Sequence, residues 1–182
     1  MTGAAPMAAP RSEAELDELL SRPSPSLAGA LATVPGDLVI LGAGGKMGPS
    51  LARMARRAAP DRRVIAVSRW SSDEAARALE ASGVETMRAD LLDARALAAL
   101  PDAPNVIFMA GQKFGTTGDP AATWALNAVV PALAAERYAG ARTVVFSTGN
   151  VYPLTAPPRG GAREADDLAP VGEDQGCCLA RE

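Results

Sequence analysis

The first place in this 182-residue sequence where residue types and spacing could do chemistry is Gly42-Ala43-Gly44-Gly45-Lys46-Met47-Gly48. Glycine recurs there at a GxxGxxG spacing, as Gly42, Gly45 and Gly48. A residue without Cβ turns tightly, lets backbone approach a ligand, and lets a helix lie close to a strand. Free N–H groups at the start of a following helix, aided by its dipole, would hold a pyrophosphate, with Lys46 and Met47 beside it. No Ser or Thr follows Lys46, so this is not a P-loop. The competing reading is a tight strand-to-helix turn with no ligand.

The composition removes other chemistries. There is no histidine, which excludes His-dependent zinc sites, the Ser-His-Asp triad and the Cys-His dyad. Cys177 and Cys178 are neighbours and cannot staple distant segments, which fits a reducing, cytoplasmic setting. A net charge of -3 argues against nucleic acid as a partner. No long apolar run suggests a membrane span, and the first residues lack the pattern of a secretory signal. The 48% hydrophobic content is enough to build a core.

The elements that must position the glycines alternate along the chain. Residues 1–12 are Ala/Pro-rich and expected to be disordered. Ser12 caps a short helix reaching about Leu20, and the Ser/Pro stretch from Ser21 to Ser26 reads as a linker. The ordered domain is placed at residues 36–182, after a tail over 1–35. Apolar strands are expected at 37–41, 63–67, 84–88, 105–110 and 142–147, with helices at 47–59, 72–81, 93–99 and 121–137 between them. Five strands separated by helices imply parallel crossovers and an open, doubly wound α/β sheet, the Rossmann fold. The glycine turn then sits at the first strand-to-helix junction, the place where it binds a dinucleotide.

Twenty residues past Gly48, Ser68-Arg69 stands where an NAD-preferring domain places an acid on the ribose hydroxyls. A hydroxyl and a guanidinium suit a 2′-phosphate instead, so NADP is favoured and NAD stays compatible. Arg69 also reads as an ordinary solvated arginine.

Through these motifs and three more, residues 37–182 resemble the extended short-chain dehydrogenase/reductase family, the NAD(P)-dependent epimerase/dehydratases. GxxGxxG is one of its signatures. Asp90-Leu91 is similar to a pair whose carboxylate contacts the adenine. Met109-Ala110-Gly111 resembles the small-residue turn over which the cofactor crosses. Ser147-Thr148-Gly149-Asn150-Val151-Tyr152-Pro153 resembles a Ser-Ser/Thr-x-x-Val-Tyr-Gly segment, departing at Pro153. The resemblance implies that Thr148 hydrogen-bonds substrate and that Asn127 matches a family asparagine near the cofactor. A local turn cap and a helix-packing role are the alternatives for those two residues. Tyr152 is read as structural.

The family's catalytic Tyr-x-x-x-Lys should follow, but Asp174 occupies the tyrosine position and Cys178 the lysine position. A carboxylate is a poor substitute for a tuned phenol, and cysteine brings no positive charge. Lys46 and Lys113 are the only lysines, and Lys113 is the one that could approach the site in space. Truncation of a longer enzyme, a pseudoenzyme, and a different acid/base pair all account for the loss, and the abrupt end favours truncation. The resemblance implies oxidoreduction or epimerisation of a sugar-nucleotide-like or other hydroxyl/carbonyl substrate, impaired in this chain. The alternative is a dinucleotide-binding sensor or scaffold. A homodimer is compatible with a full-length form.

Overall fold

The structure, a computed structural model, describes residues 9–112, 118–156, 158 and 160–181. Five parallel strands, β1 (Leu38–Leu41), β2 (Val64–Ser68), β3 (Glu85–Arg88), β4 (Asn105–Phe108) and β5 (Arg142–Val145), form one sheet in the order β3-β2-β1-β4-β5. The order reverses between β1 and β4, whose register pairs Leu38 with Asn105 and Leu41 with Phe108. Crossovers leave β1 in one direction toward β2 and β3, then return to its other side, so a crevice opens above β1 and β4.

Strand periodicity divides the core into two faces. Val39 and Leu41 join Ile65, Val67, Val106 and Phe108 on one face. There they pack against Leu97 of α5 (Ala94–Ala98) and against Val130 and Ala134 of α7 (Val130–Arg137). Leu38 and Ile40 join Val64 and Ala66 on the other face. Ala52 and Ala55 of α3 (Gly48–Ala58) and Leu79 of α4 (Asp73–Glu80) cover that side. Small alanines let the helices lie close, which is how a chain poor in aromatics fills its interior. β5 is different: all four of its residues are exposed, and Val144 keeps 60% of its surface accessible.

Two expectations need correction. The Ser21–Ser26 stretch read as a linker instead runs into α2 (Pro25–Ala32), capped by the Ser24 side chain, which accepts from Leu27 N–H at 3.1 Å. Proline at the first helical position starts a helix as readily as it ends one, so Ser-Pro did not discriminate. The helix expected at 121–137 is interrupted: α6 (Pro120–Trp124) leads into a π-helical turn at Ala125–Val129 before α7. Residues 1–8 of the expected disordered tail, and Lys113, lie outside the described residues.

The N-terminal helix α1 (Glu13–Leu20), capped by Ser12 as expected, docks on α3 through charge. Asp17 meets Arg53 at 3.0 Å, and Glu18 meets Arg57 at 2.6 Å while also accepting from Arg22 at 3.2 Å. Arg57 also donates to the Ser21 hydroxyl at 3.1 Å. The hydrogen bonds from Arg57 and then Arg22 hold the Glu18 carboxyl below its ordinary value of 4.5. A carboxyl whose folded pKa is depressed contributes stability that is present above its unfolded value and lost as pH falls through the folded one. Hydrogen exchange of residues 13–20 should therefore accelerate as pH is lowered below about 4.5, after correction for intrinsic rates. Glu18→Gln should abolish most of that pH dependence; an unchanged profile would show that the contact does not hold the helix.

Candidate functional site

The site begins with a constraint on Gly42. Its φ is +88°, and its N–H and that of Ala43 both donate to the Val67 carbonyl, at 2.9 and 3.0 Å. A Cβ at position 42 would overlap the backbone of Ala110, lying 2.5 Å from its Cα. Conformation and space therefore both demand glycine. Gly48 is fixed by packing alone, because a Cβ there would run into the Ala43 carbonyl group. Gly44 faces β2, where a Cβ would overlap the Ser68 hydroxyl. Gly45 stands apart. The nearest atom to a Cβ there is the Gly42 carbonyl oxygen at 3.6 Å, an ordinary contact, and its φ is not in the left-handed region.

Above this turn lies a cavity of about 460 Å³ at the carboxyl ends of β1 to β4. Gly42, Gly44 and Gly45 form its floor; Ser68, Arg69, Trp70 and Ser71 line the β2 side. Ala89, Asp90 and Leu91 follow β3, and Met109, Ala110 and Gly111 follow β4. The helix α3 that starts at the turn has Met47 as N-cap with no side-chain hydrogen bond. Gly48 N–H donates to the Gly45 carbonyl at 3.2 Å and Pro49 has no N–H, so Ser50 is the first residue of α3 whose amide could meet an anion. Among the described residues no group of three or more metal-capable side chains is found.

The β2 wall is preorganised. Trp70 has φ +51°, uncommon for a non-glycine residue, yet it is buried and its indole N–H donates to the Met87 carbonyl at 3.0 Å. Arg88 staples the same loop, donating to the carbonyls of Arg69 and Trp70 and to Asp73 at 2.6 Å. Arg69 itself is exposed and forms no ion pair among the described residues. Asp90 accepts from the Leu92 N–H at 3.0 Å and remains exposed, while Leu91 is buried.

The residues singled out in the sequence separate into two groups. Gly42, Gly45, Ser68, Arg69, Asp90, Leu91, Met109, Ala110 and Gly111 meet at the cavity, with Gly48 beneath it; Lys46 and Met47 are exposed on the turn outside its lining. Asn127 is not brought to the cavity. It is 1% exposed, and its side chain is satisfied within the protein. Oδ1 accepts from Gln112 N–H and Arg181 Nη2, both at 2.8 Å, while Nδ2 donates to the Gln112 carbonyl at 2.9 Å and Cys177 Sγ at 3.3 Å. Thr148 caps a short 3₁₀ turn at Gly149–Val151, its oxygen accepting from Asn150 N–H at 3.3 Å. Asp174 lies in the first turn of α8 (Glu173–Leu179) with its side chain outside the described ones. Cys178 is half-buried on the same helix. Gly44, Trp70 and Ser71 were missed. An additional glycine inside GxxGxxG was the available signal for Gly44; nothing local marks Trp70.

No protein-family model matches the sequence, and no curated protein shows a significant match. Solved structures do resemble it. ADP-L-glycero-D-manno-heptose-6-epimerase from Helicobacter pylori superposes at a TM-score of 0.67 and 18% identity, over 80% of this chain and 48% of that one. UDP-glucuronic acid 4-epimerase from Bacillus cereus, in complex with UDP-glucuronic acid and NAD, gives 0.65 and 17% over 80% and 49%. A short-chain dehydrogenase/reductase superfamily protein from Agrobacterium tumefaciens with bound NAD gives 0.61 and 23% over 79% and 42%. The chain spans about half the length of these structures, and over that span it has the Rossmann fold they share.

Proposed function

We propose that this chain is the dinucleotide-binding portion of an epimerase/dehydratase-like oxidoreductase acting on a sugar-nucleotide-like or other hydroxyl/carbonyl substrate. The observation that carries the reading is Gly45. Its neighbours Gly42, Gly44 and Gly48 are glycine because protein atoms leave no room for a Cβ, whereas Gly45 has room and still lacks one. A pyrophosphate seated on the turn supplies the missing reason. The NAD-bound structures with this fold support the same ligand class.

In this reading Asp90 receives the adenine, and Met109, Ala110 and Gly111 let the cofactor cross from β1 toward β5. Ser68, Ser71 and the exposed guanidinium of Arg69 form a pocket for a 2′-phosphate, which favours NADP over NAD. Thr148 accepts a backbone N–H and so keeps its own O–H to donate to a substrate oxygen. The nicotinamide, when bound, supplies the hydride chemistry. In this reading Asp174 and Cys178 take the places of the family's tyrosine and lysine, so proton transfer is expected to be weak in this chain. A dinucleotide-binding sensor without turnover is the second reading, favoured by Cys178, half-buried at the lysine position and bringing no positive charge.

Calorimetry with NADP and NAD tests the proposal. Gly45→Val should weaken dinucleotide binding about tenfold or more, as expected for losing a charge-assisted contact, while Gly45→Ala changes stability by only about 0.5 kcal/mol. Gly42→Ala should instead destabilise the fold, by about 1–3 kcal/mol from the left-handed backbone alone. Unchanged NADP affinity in Gly45→Val would sink the reading. Arg69→Asp should shift the NADP/NAD affinity ratio toward NAD by about tenfold; a constant ratio would exclude Arg69 from selectivity. Binding without hydride transfer to any of a panel of carbonyl compounds would decide for the sensor.

A further inference from the structure

Arg181 follows α8 and extends its guanidinium across the carboxyl ends of β4 and β5. Nη1 donates to the Phe146 carbonyl, just past β5, at 2.9 Å. Nη2 donates to Asn127 Oδ1 at 2.8 Å, and Nε donates to the Asn127 backbone carbonyl at 3.3 Å. The last acceptor has a local origin. In a regular helix that carbonyl would receive the N–H of the residue four positions on, but that residue is Pro131, which has none. Asn127 lies within the π-helical turn that precedes α7, and its carbonyl is turned to use by a cation from another element.

Each of these oxygen acceptors is neutral. No carboxylate among the described residues pairs with Arg181, and Arg56, Arg62 and Arg142 likewise donate only to neutral oxygens. The side chain is half-buried and held at three points, so its charge is neither solvated freely nor neutralised. A guanidinium carries five N–H donors. Three meet oxygen, and Nη2 also approaches Cys178 Sγ at 4.0 Å, which leaves the second N–H of Nη1 without an oxygen acceptor among the described residues.

Gly111 leaves room for this charge. A Cβ on Gly111 would lie 3.1 Å from Arg181 Nη2 and 3.5 Å from Nη1, so the glycine accommodates the guanidinium. Gly111 also lines the cavity, at the β4 end, away from the Arg69 and Asp90 end. We propose that Arg181 is a ligand-binding residue that supplies the positive charge at the β4–β5 end of the cleft. It donates to the hydroxyl oxygens of the ribose in the half of the dinucleotide beyond the pyrophosphate. The inference rests on the dinucleotide reading above and deepens it. It also places a cation one helical turn after Cys178.

The test compares NAD, NADP and ADP binding by calorimetry to the 182-residue chain and to Arg181→Gln and Arg181→Lys, with thermal midpoints recorded. ADP ends at the pyrophosphate and does not reach the β4–β5 end. Arg181→Gln should weaken dinucleotide binding about tenfold or more, the range of a hydrogen bond to a charged group, and leave ADP affinity unchanged. Arg181→Lys, which keeps the charge, should recover part of that loss. If the glutamine variant does not fold, a selective loss of dinucleotide over ADP in the lysine variant supports the assignment equally. Equal loss of ADP and dinucleotide, or no loss of either, would overturn the assignment and leave Arg181 as a tie between α8 and the sheet. A wild-type chain that binds none of the three ligands would instead overturn the dinucleotide reading itself.

Discussion

The contact on which the rest of the molecule depends is the one between Gly42 and Ala110. The chain leaving β1 turns directly against the backbone leaving β4, so closely that a single Cβ would not fit. Only neighbouring parallel strands in matched register bring those two points together, and Leu41 opposite Phe108 is that register. The turn therefore ties the reversal of strand order to the mouth of the crevice. Once it is in place, Gly48 can seat α3 against Ala43. A substitution at Gly42 would disturb the fold before it disturbed a ligand, whereas Gly45 separates the two effects.

The parts of the fold that were legible in the sequence are those with local causes. Continuous apolar runs such as LVIL and VIAV mark strands buried on both faces, and the glycine turn announces itself because its demands are met within seven residues. What the sequence concealed depends on distant partners. Pro25 after Ser24 reads equally as a breaker and as a helix start; packing on α3 decides it. Asn127 offers four hydrogen-bonding sites to whatever surrounds it, and Gln112, Cys177 and Arg181 come from the β4 loop, from α8 and from the residues after it. No spacing rule within the helix could have shown that. Thr148 was legible as a hydroxyl in a turn, but its local bond to Asn150 appears only with the backbone geometry.

The cleft is built with unequal stiffness along its length. At the β2–β3 end, Arg88 gathers the carbonyls of Arg69 and Trp70 and the carboxylate of Asp73, so the loop after β2 is held before any ligand arrives. That preorganisation lowers the ordering cost of binding. It also explains how Trp70 tolerates a left-handed backbone, since its indole is buried and hydrogen-bonded. Behind Gly111 at the other end, neutral acceptors surround one guanidinium that follows the helix containing both cysteines. The two ends answer to different elements, and substitutions in one need not propagate to the other.

The placement of Trp70 has an optical consequence. The sequence contains two tryptophans, and the structure sorts them by environment: Trp70 is buried in the wall of the cleft, whereas Trp124 is 40% exposed on α6. Their indoles emit in different surroundings, the buried one toward the blue and the solvated one toward the red. Quenching by a soluble anion such as iodide would fall mainly on Trp124, leaving the emission of Trp70 as a signal from the cleft itself. The protein thus carries a fluorophore beside its crevice, and occupancy can be followed by light in the unmodified chain.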